Sequence, residues 1–491
     1  MNLGVNEMRV LEELQPYDVF KYFEEITQIP RGSGNEQAIS DYLVKFANEL
    51  NLEVIQDEAN NIVIRKEASK GYENAKGVII QGHMDMVCEK NKGTEHDFEK
   101  DPLKLRIVED NIYATDTTLG ADNGIAVAYG MAVLAGNYEH PALELLVTTD
   151  EEVGMSGAIA LDGKNIKGQI LLNADSEVEG ELLVSCAGGA RNTLVIDIDW
   201  TQTPEEKVAY ELRVKGLRGG HSGMEINKAR GNANKLMGRL LNEIYKVVDF
   251  DMALISGGSK NNAIPREADT LVVIDEKDIA IMSEIVEKVE NEIKAELRVQ
   301  DPNVIVEMVK EEAMPLEIFS KETKRKVIMG LQLMPNGVEV MSMDMDGLVQ
   351  TSTNLGVVTT TNETVSFDSA TRSSVNSQKW AFLDKIQNVA DVIGAKLEVS
   401  SSYPSWEYNP ESEVREIAKK VYKDMTGEDA KLVAIHAGVE CGLLSEKVEA
   451  GLDMISFGPN MADVHTPDEH VSISSIKNVW EFLIELLKAL K

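Results

Sequence analysis

Strands and helices take turns in the first third of this chain, and that alternation limits the fold more than any other feature. Four short, apolar pieces rich in β-branched residues read as strands: "NIVIRK", "GVIIQGH", "ALELLVTTD" and "GQILLNAD". Between the second and third lies "NGIAVAYGMAVLAG", a small-residue helix. Amphipathic helices come first: Val19, Phe20, Phe23 and Ile26 share one face, as do Ile39, Tyr42, Leu43, Phe46 and Leu50. The pattern predicts an α/β domain whose parallel or mixed central sheet is flanked by helices.

Three of these strands end in residues that can do chemistry. His83 follows "GVIIQG", Glu151 and Glu152 follow "LELLVTT", and Asp175 follows "QILLNA". Sites in open α/β sheets collect at the carboxyl ends of the strands.

The texture changes near residue 187. Strand-like and helix-like segments then read as two α+β units, the second spanning "NETVSFDSATRSSV" to "AKLEVSSS". A duplicated element is expected there, although the residues themselves do not repeat clearly. Amphipathic helices return after about residue 400, and Ile476, Val479, Trp480, Leu483 and Leu487 form a core stripe in the last of them. The expected organisation is a catalytic domain in two parts, 1–186 and 399–491, split by an inserted domain at 187–398.

Composition excludes some functions. The net charge is −34, from 49 basic and 83 acidic residues. Nucleic acid or an anionic membrane surface would need a basic patch, so neither is an expected partner. Cys88, Cys186 and Cys441 are far apart and odd in number, a pattern of a reducing compartment rather than a disulfide framework. No signal-peptide pattern and no bilayer-length apolar run is visible, so a cytoplasmic protein is expected.

The candidate ligands are His83, Asp85, Asp122, Glu151, Glu152, Asp175 and His465. Two imidazoles with several carboxylates suit zinc, manganese or cobalt better than magnesium or calcium. The carboxylates outnumber what one catalytic zinc needs, and two ions bridged by one carboxylate would use them all. In "HMD", an extended segment puts Asp85 on the same side as His83, where it can hold the second ring nitrogen. Alone, this motif describes only a strand ending in a turn. Asp122, in "TTLGADNGIAV", stands where a helix opens, and by itself it or Asn123 would be a helix cap. In "TTDEEVG", an extended chain would send Glu151 and Glu152 to opposite sides, one to a metal and one to a bound water as general base. An acidic run of this kind is more often a solvated turn.

In this order, "GHMDMV", "LGADNG", "TTDEEVG", "NADSE", "GGHSG" and "HTPDE" resemble the motifs of di-zinc exopeptidases. "GGSKNNAIPRE" and "HAGVECGL" narrow the resemblance to the aminoacyl-histidine (Xaa-His, or cytosol non-specific) dipeptidases. It covers nearly the whole chain. It implies a catalytic domain split by an α+β lid, two divalent ions (Zn2+, with Co2+ or Mn2+ as substitutes), and hydrolysis of dipeptides with free termini. It also implies roles. His83 and Asp175 would bind one ion, Glu152 and His465 the other, and Asp122 would bridge them. Glu151 would be the base, with Asp85 orienting His83. His221 would stabilise the oxyanion, and Asn262, Arg372 and Gly438 would contact substrate, Arg372 at the free carboxylate of the substrate. Lid pairing in such families implies a homodimer. Two departures, Thr466 where serine is expected and Val439 where leucine is common, touch none of this chemistry.

A tripeptidase or an N-acyl amino-acid hydrolase on the same core is the rival within enzymes. A non-catalytic binding module is the rival outside them, but such descendants usually lose a ligand or the base, and none is missing here.

Overall fold

The computed structural model describes residues 9–449 and 451–491. It divides into two compact units, one formed from Met1–Ser185, Tyr408–Ala434 and Val439–Lys491, the other from Cys186–Glu407 and Ile435–Gly438.

The first unit is built on an eight-stranded mixed sheet. Its centre is parallel: Leu143–Thr148, Val78–His83, Ile170–Asn173 and Asp453–Ser456 lie side by side and run the same way. Val78–His83 and Leu143–Thr148 are buried at every position, which is why their sequences are near-continuous apolar runs rather than alternating ones. The flank makes the sheet mixed. Ile62–Lys66, the "NIVIRK" strand, runs antiparallel to both Leu143–Thr148 and Glu53–Gln56. A tight turn through Asn60, whose φ is +66°, makes a hairpin of it, so its direction is set by local closure and not by a helical crossover.

The helix Ala121–Ala135 packs on Val78–His83 and on the helix Tyr17–Thr27. Beyond Asp122 and Asn123 it is apolar all round, and almost every residue in it is buried. The closing helix Ile473–Ala489 buries the expected stripe, and its Trp480 stacks on Tyr129, whose hydroxyl donates to Ile476 O at 2.9 Å. A small antiparallel sheet joins His470–Ser472 to Asn111–Ala114.

The second unit is a nine-stranded antiparallel sheet. Four helices, Ala233–Tyr245, Ile279–Glu296, Lys321–Leu333 and Asn376–Ile393, contribute to one apolar core with it. The expected duplication is visible in the topology. Lys207–Lys215, Phe250–Gly257, Ala268–Asp275 and Ile305–Glu311 form one half-sheet, with the fourth strand beside the first, then the third, then the second. Gly188–Asp197, Val349–Thr360, Thr364–Ser373 and Lys396–Tyr403 repeat that order. In chain order one copy is inserted into the other, between Asp197 and Val349, while in the sheet the two halves meet edge to edge. That nesting hides the repeat from a linear reading.

Candidate metal centre

In the first unit the ends of the parallel strands converge. His83 closes its strand, Asp175 follows Ile170–Asn173, and Glu151 and Glu152 follow Leu143–Thr148. Asp122 arrives from the start of the helix Ala121–Ala135, and His465 from the segment between two short strands. His83 Nε2 lies 3.1 Å from Asp122 Oδ1 and 3.5 Å from Asp175 Oδ1. His465 Nε2 lies 3.2 Å from Asp122 Oδ2 and 3.1 Å from Glu152 Oε2. Asp122 therefore turns one oxygen to each imidazole. The ligand atoms form three overlapping groups: His83, Asp122 and Asp175; Asp122, Glu152 and His465; and His83, Glu151 and Glu152.

Borderline divalent ions fit this set. Each of the first two groups offers one imidazole nitrogen and two carboxylates, a mixed donor set suited to zinc-like ions. Glu152 Oε1 is buried with no hydrogen-bond partner among the described residues, an arrangement a protein rarely tolerates unless something else binds the atom.

Asp85 sits behind the ligands. Its Oδ1 is 3.2 Å from His83 Nδ1, an electrostatic contact outside hydrogen-bond alignment. The same carboxylate accepts from the amides of Glu151 at 3.1 Å and Glu152 at 3.3 Å, and from Ser33 Oγ at 2.8 Å. It ties the His83 end to the acidic cluster, a wider job than the sequence suggested.

Two local readings are corrected. Glu151 and Glu152 are not extended: Glu151–Gly154 is a single helical turn that begins after Asp150, whose φ is +57°. Neighbours on a helix diverge by about 100° rather than 180°, and so both carboxylates reach the same cluster. Neither Asp122 nor Asn123 caps its helix through its side chain either: both have non-helical backbone angles where the helix opens, and their side chains bond elsewhere. Asn123 instead points inward, accepting from His83 N at 3.2 Å and donating to Ala174 O at 2.9 Å. Gly82 makes room for it, because a Cβ there would stand 2.2 Å from Asn123 Oδ1. Asn123 was missed as a positioning group; its one signal was a polar residue opening an otherwise apolar helix.

The electrostatics follow from burial and crowding. Burial disfavours charge on Asp122, but hydrogen bonds from His465 and His83 outweigh it and hold this carboxyl well below its usual range. Burial pushes Asp175 up to about 6, against the pull of His83. Asp122 and then Glu152 raise His465 to about 10. Burial works against the charge on His83, yet Asp122, Asp175 and Asp85 together raise it well above its ordinary value.

These shifts have a signed consequence for protein stripped by chelation. Imidazoles with raised folded-state pKa values contribute stability that is fully present below about pH 6.5, the unfolded value. The His465 contribution is lost as pH rises through about 10. Ions need the neutral imidazoles, so metal uptake must displace these protons. At pH 7 we expect roughly one or more protons released per chain on loading, and affinity that climbs with pH. Calorimetric titration in buffers of different ionisation enthalpy measures this directly; loading with no proton release would contradict it.

The other four expected site residues belong to the second unit. His221 lies on a two-residue strand paired with Ala263–Ile264, and Ser222 N donates to Asn262 O at 2.8 Å. His221 Nδ1 accepts from the amides of Gly223 at 3.2 Å and Met224 at 3.1 Å. Its hydrogen is thereby placed on Nε2. Burial, then Arg372, lowers its pKa and keeps the ring neutral. Arg372 Nη1 donates to Tyr403 Oη at 3.0 Å, while its Nε is buried without a partner among the described residues. Gly438 lies against the same tyrosine, and a Cβ would stand 2.5 Å from its ring. His436, from the same motif, pairs with Ser352 Oγ at 2.7 Å and is pushed down to about 3 by burial and then by Arg372.

A split α/β unit with imidazoles and carboxylates gathered at its strand ends defines a metallohydrolase type of site. Residues 79–489 match Peptidase family M20/M25/M40, and the chain belongs to this family of metallopeptidases. It is 38% identical over 484 residues to the cytosol non-specific dipeptidase of Escherichia coli (strain K12), covering 98% of this chain and 99% of that one. The aminoacylhistidine dipeptidase from Vibrio alginolyticus superposes with a TM-score of 0.93 at 38% identity, over 98% of both chains. Aminopeptidase PepT from Bacillus cereus shares the fold more distantly, with a TM-score of 0.55 at 17% identity over 97% of this chain and 99% of that one. Among the described residues no helix is long and apolar enough to cross a membrane.

Proposed function

We propose that this enzyme hydrolyses dipeptides with free amino and carboxyl termini, Xaa-His among them, using two divalent ions, zinc by preference. The observation that carries the reading is Asp122 set between two imidazoles, at 3.1 and 3.2 Å, with a further carboxylate beside each. The likeness to the E. coli dipeptidase, which runs through both units, supports the substrate class.

When bound, two such ions supply Lewis acidity toward a carbonyl oxygen and acidify water, whose pKa falls from 15.7 to about 7 beside zinc. His83 and Asp175 would hold one ion, Glu152 and His465 the other, and Asp122 would serve both. Glu151 takes the proton from the attacking water and returns it to the leaving amine. Asp85 keeps His83 and the Glu151–Glu152 amides in register. His221, as an Nε2–H donor, meets the developing oxyanion, a contact of a kind worth about 2.7–4 kcal/mol. Arg372 receives the substrate carboxylate, and Asn262 and Gly438 contact its backbone. The inserted unit acts as a lid that pairs in a homodimer, and the enzyme works in the cytoplasm.

The test is hydrolysis of Ala-His, Ala-Ala-His and N-acetyl-alanine by zinc-loaded and chelated protein. We expect fast, chelator-sensitive cleavage of Ala-His alone. Cleavage of only the tripeptide or only the acylated amino acid would replace the substrate assignment. No cleavage with both ions bound would favour a binding protein.

A further inference from the structure

Two buried, oppositely charged residues outside the ligand set converge on one peptide. Gly120, at φ +66°, lies two residues before Asp122. The amides of Leu119, Gly120 and Ala121 all donate to the Glu469 carboxylate, at 2.8, 2.9 and 2.8 Å. The Gly120 carbonyl accepts from Arg31 Nη2 at 2.5 Å. Arg31 Nη1 in turn donates to Met84 O at 2.9 Å and Asp85 O at 3.2 Å. Arg31 is 1% exposed and Glu469 2%.

Each residue therefore joins the Gly120 turn to a different ligand-bearing segment. Arg31 reaches the backbone just after His83. Glu469 stands four residues beyond His465. Converging amides need an anion, and converging carbonyls need a cation. Gly120 is fixed from both sides: an added Cβ would stand 2.5 Å from Arg31 Nη2 and 2.8 Å from Met86 Sδ.

We propose that Arg31 and Glu469 are a paired positioning device that clamps the Gly120 turn and so sets how Asp122 is shared between the two ion positions. This rests on the two-ion reading above. Neither residue touches the reacting atoms. Their effect runs through the backbone of three segments, the kind of support whose loss typically weakens metal binding by about 10–100-fold.

The test is a Co2+ titration of the full-length protein, followed by visible absorption and calorimetry, for wild type, Glu469→Gln, Arg31→Lys and the double variant. Glu469→Gln keeps the shape but turns an NH2 toward an amide donor. Arg31→Lys keeps the charge but cannot span three carbonyls, and it serves as the milder change should Glu469→Gln fold poorly. For each single variant we expect the second Co2+ equivalent to bind about 10-fold or more weakly. kcat for Ala-His should fall in step, with KM within about twofold. The double variant should lose much less than the product of the two single losses, because the pair acts as a unit. A purely structural pair would lower the melting temperature and leave both Co2+ affinities unchanged; that result overturns the proposal. Wild type that binds two Co2+ without cleaving peptides would defeat the functional reading and leave the clamp standing. Wild type that binds fewer than two would end both.

Discussion

Glutamine in place of Glu151 is expected to lower kcat for dipeptide hydrolysis by about 10²–10⁴-fold, the span of a general base, while both ions stay bound. The side chain groups with His83 and Glu152, with ligand atoms within 4.8 Å of one another, so it stands beside the cluster and is not remote from it. Without cations its carboxyl is pushed up to about 9, first by burial and then by Asp175, Glu440 and Glu152, with His83 opposing. Dications reverse that balance, and the loaded enzyme should carry it ionised and ready to accept a proton. Glutamine keeps the size and removes only the basicity. Metal analysis of dialysed variant beside its steady-state kinetics decides the role. Undiminished kcat would remove Glu151 as base. Loss of one ion per chain would make it a ligand instead.

Asp122→Asn should retain at most one tightly held ion and lose on the order of 10³-fold or more in kcat, about 4 kcal/mol at 1.36 kcal/mol per decade. The wild-type carboxylate gives one oxygen to the His83 side and one to the His465 side, at 3.1 and 3.2 Å. Asparagine keeps one acceptor and replaces the other with an NH2 that cannot ligate. One ion position keeps its donors, and the other is left with His and one carboxylate. Equilibrium dialysis against zinc, with activity assayed on the same samples, measures both effects. Two tightly bound ions in this variant would show that Asp122 is not shared.

Much of the candidate site was legible because strand ends in a parallel sheet are where a sequence can announce itself. A buried strand reads as an apolar run, so the polar residue that stops it stands out, as at His83, Glu151 and Asp175. His465 was found only through its motif, since half its side chain is exposed and no periodicity leads to it. Arg31 and Glu469 were not singled out, and Asn123 only as a helix cap. Their partners are backbone groups up to about 350 residues away, and a backbone amide or carbonyl leaves no mark in the sequence.

By itself the sequence determined the alternating strands and helices, the core stripe of the last helix, and the donor types that suit borderline divalent ions. Those properties depend on side-chain chemistry and short-range spacing. The tertiary structure decided the rest. It made Ile62–Lys66 antiparallel, folded Glu151–Gly154 into a helical turn, and paired the two half-sheets of the second unit edge to edge. It also set Asp122 between two histidines that are 382 positions apart in the numbering of the chain, 465 less 83. Distances between segments depend on how separate surfaces pack, and packing is a property of the whole chain rather than of any stretch of it.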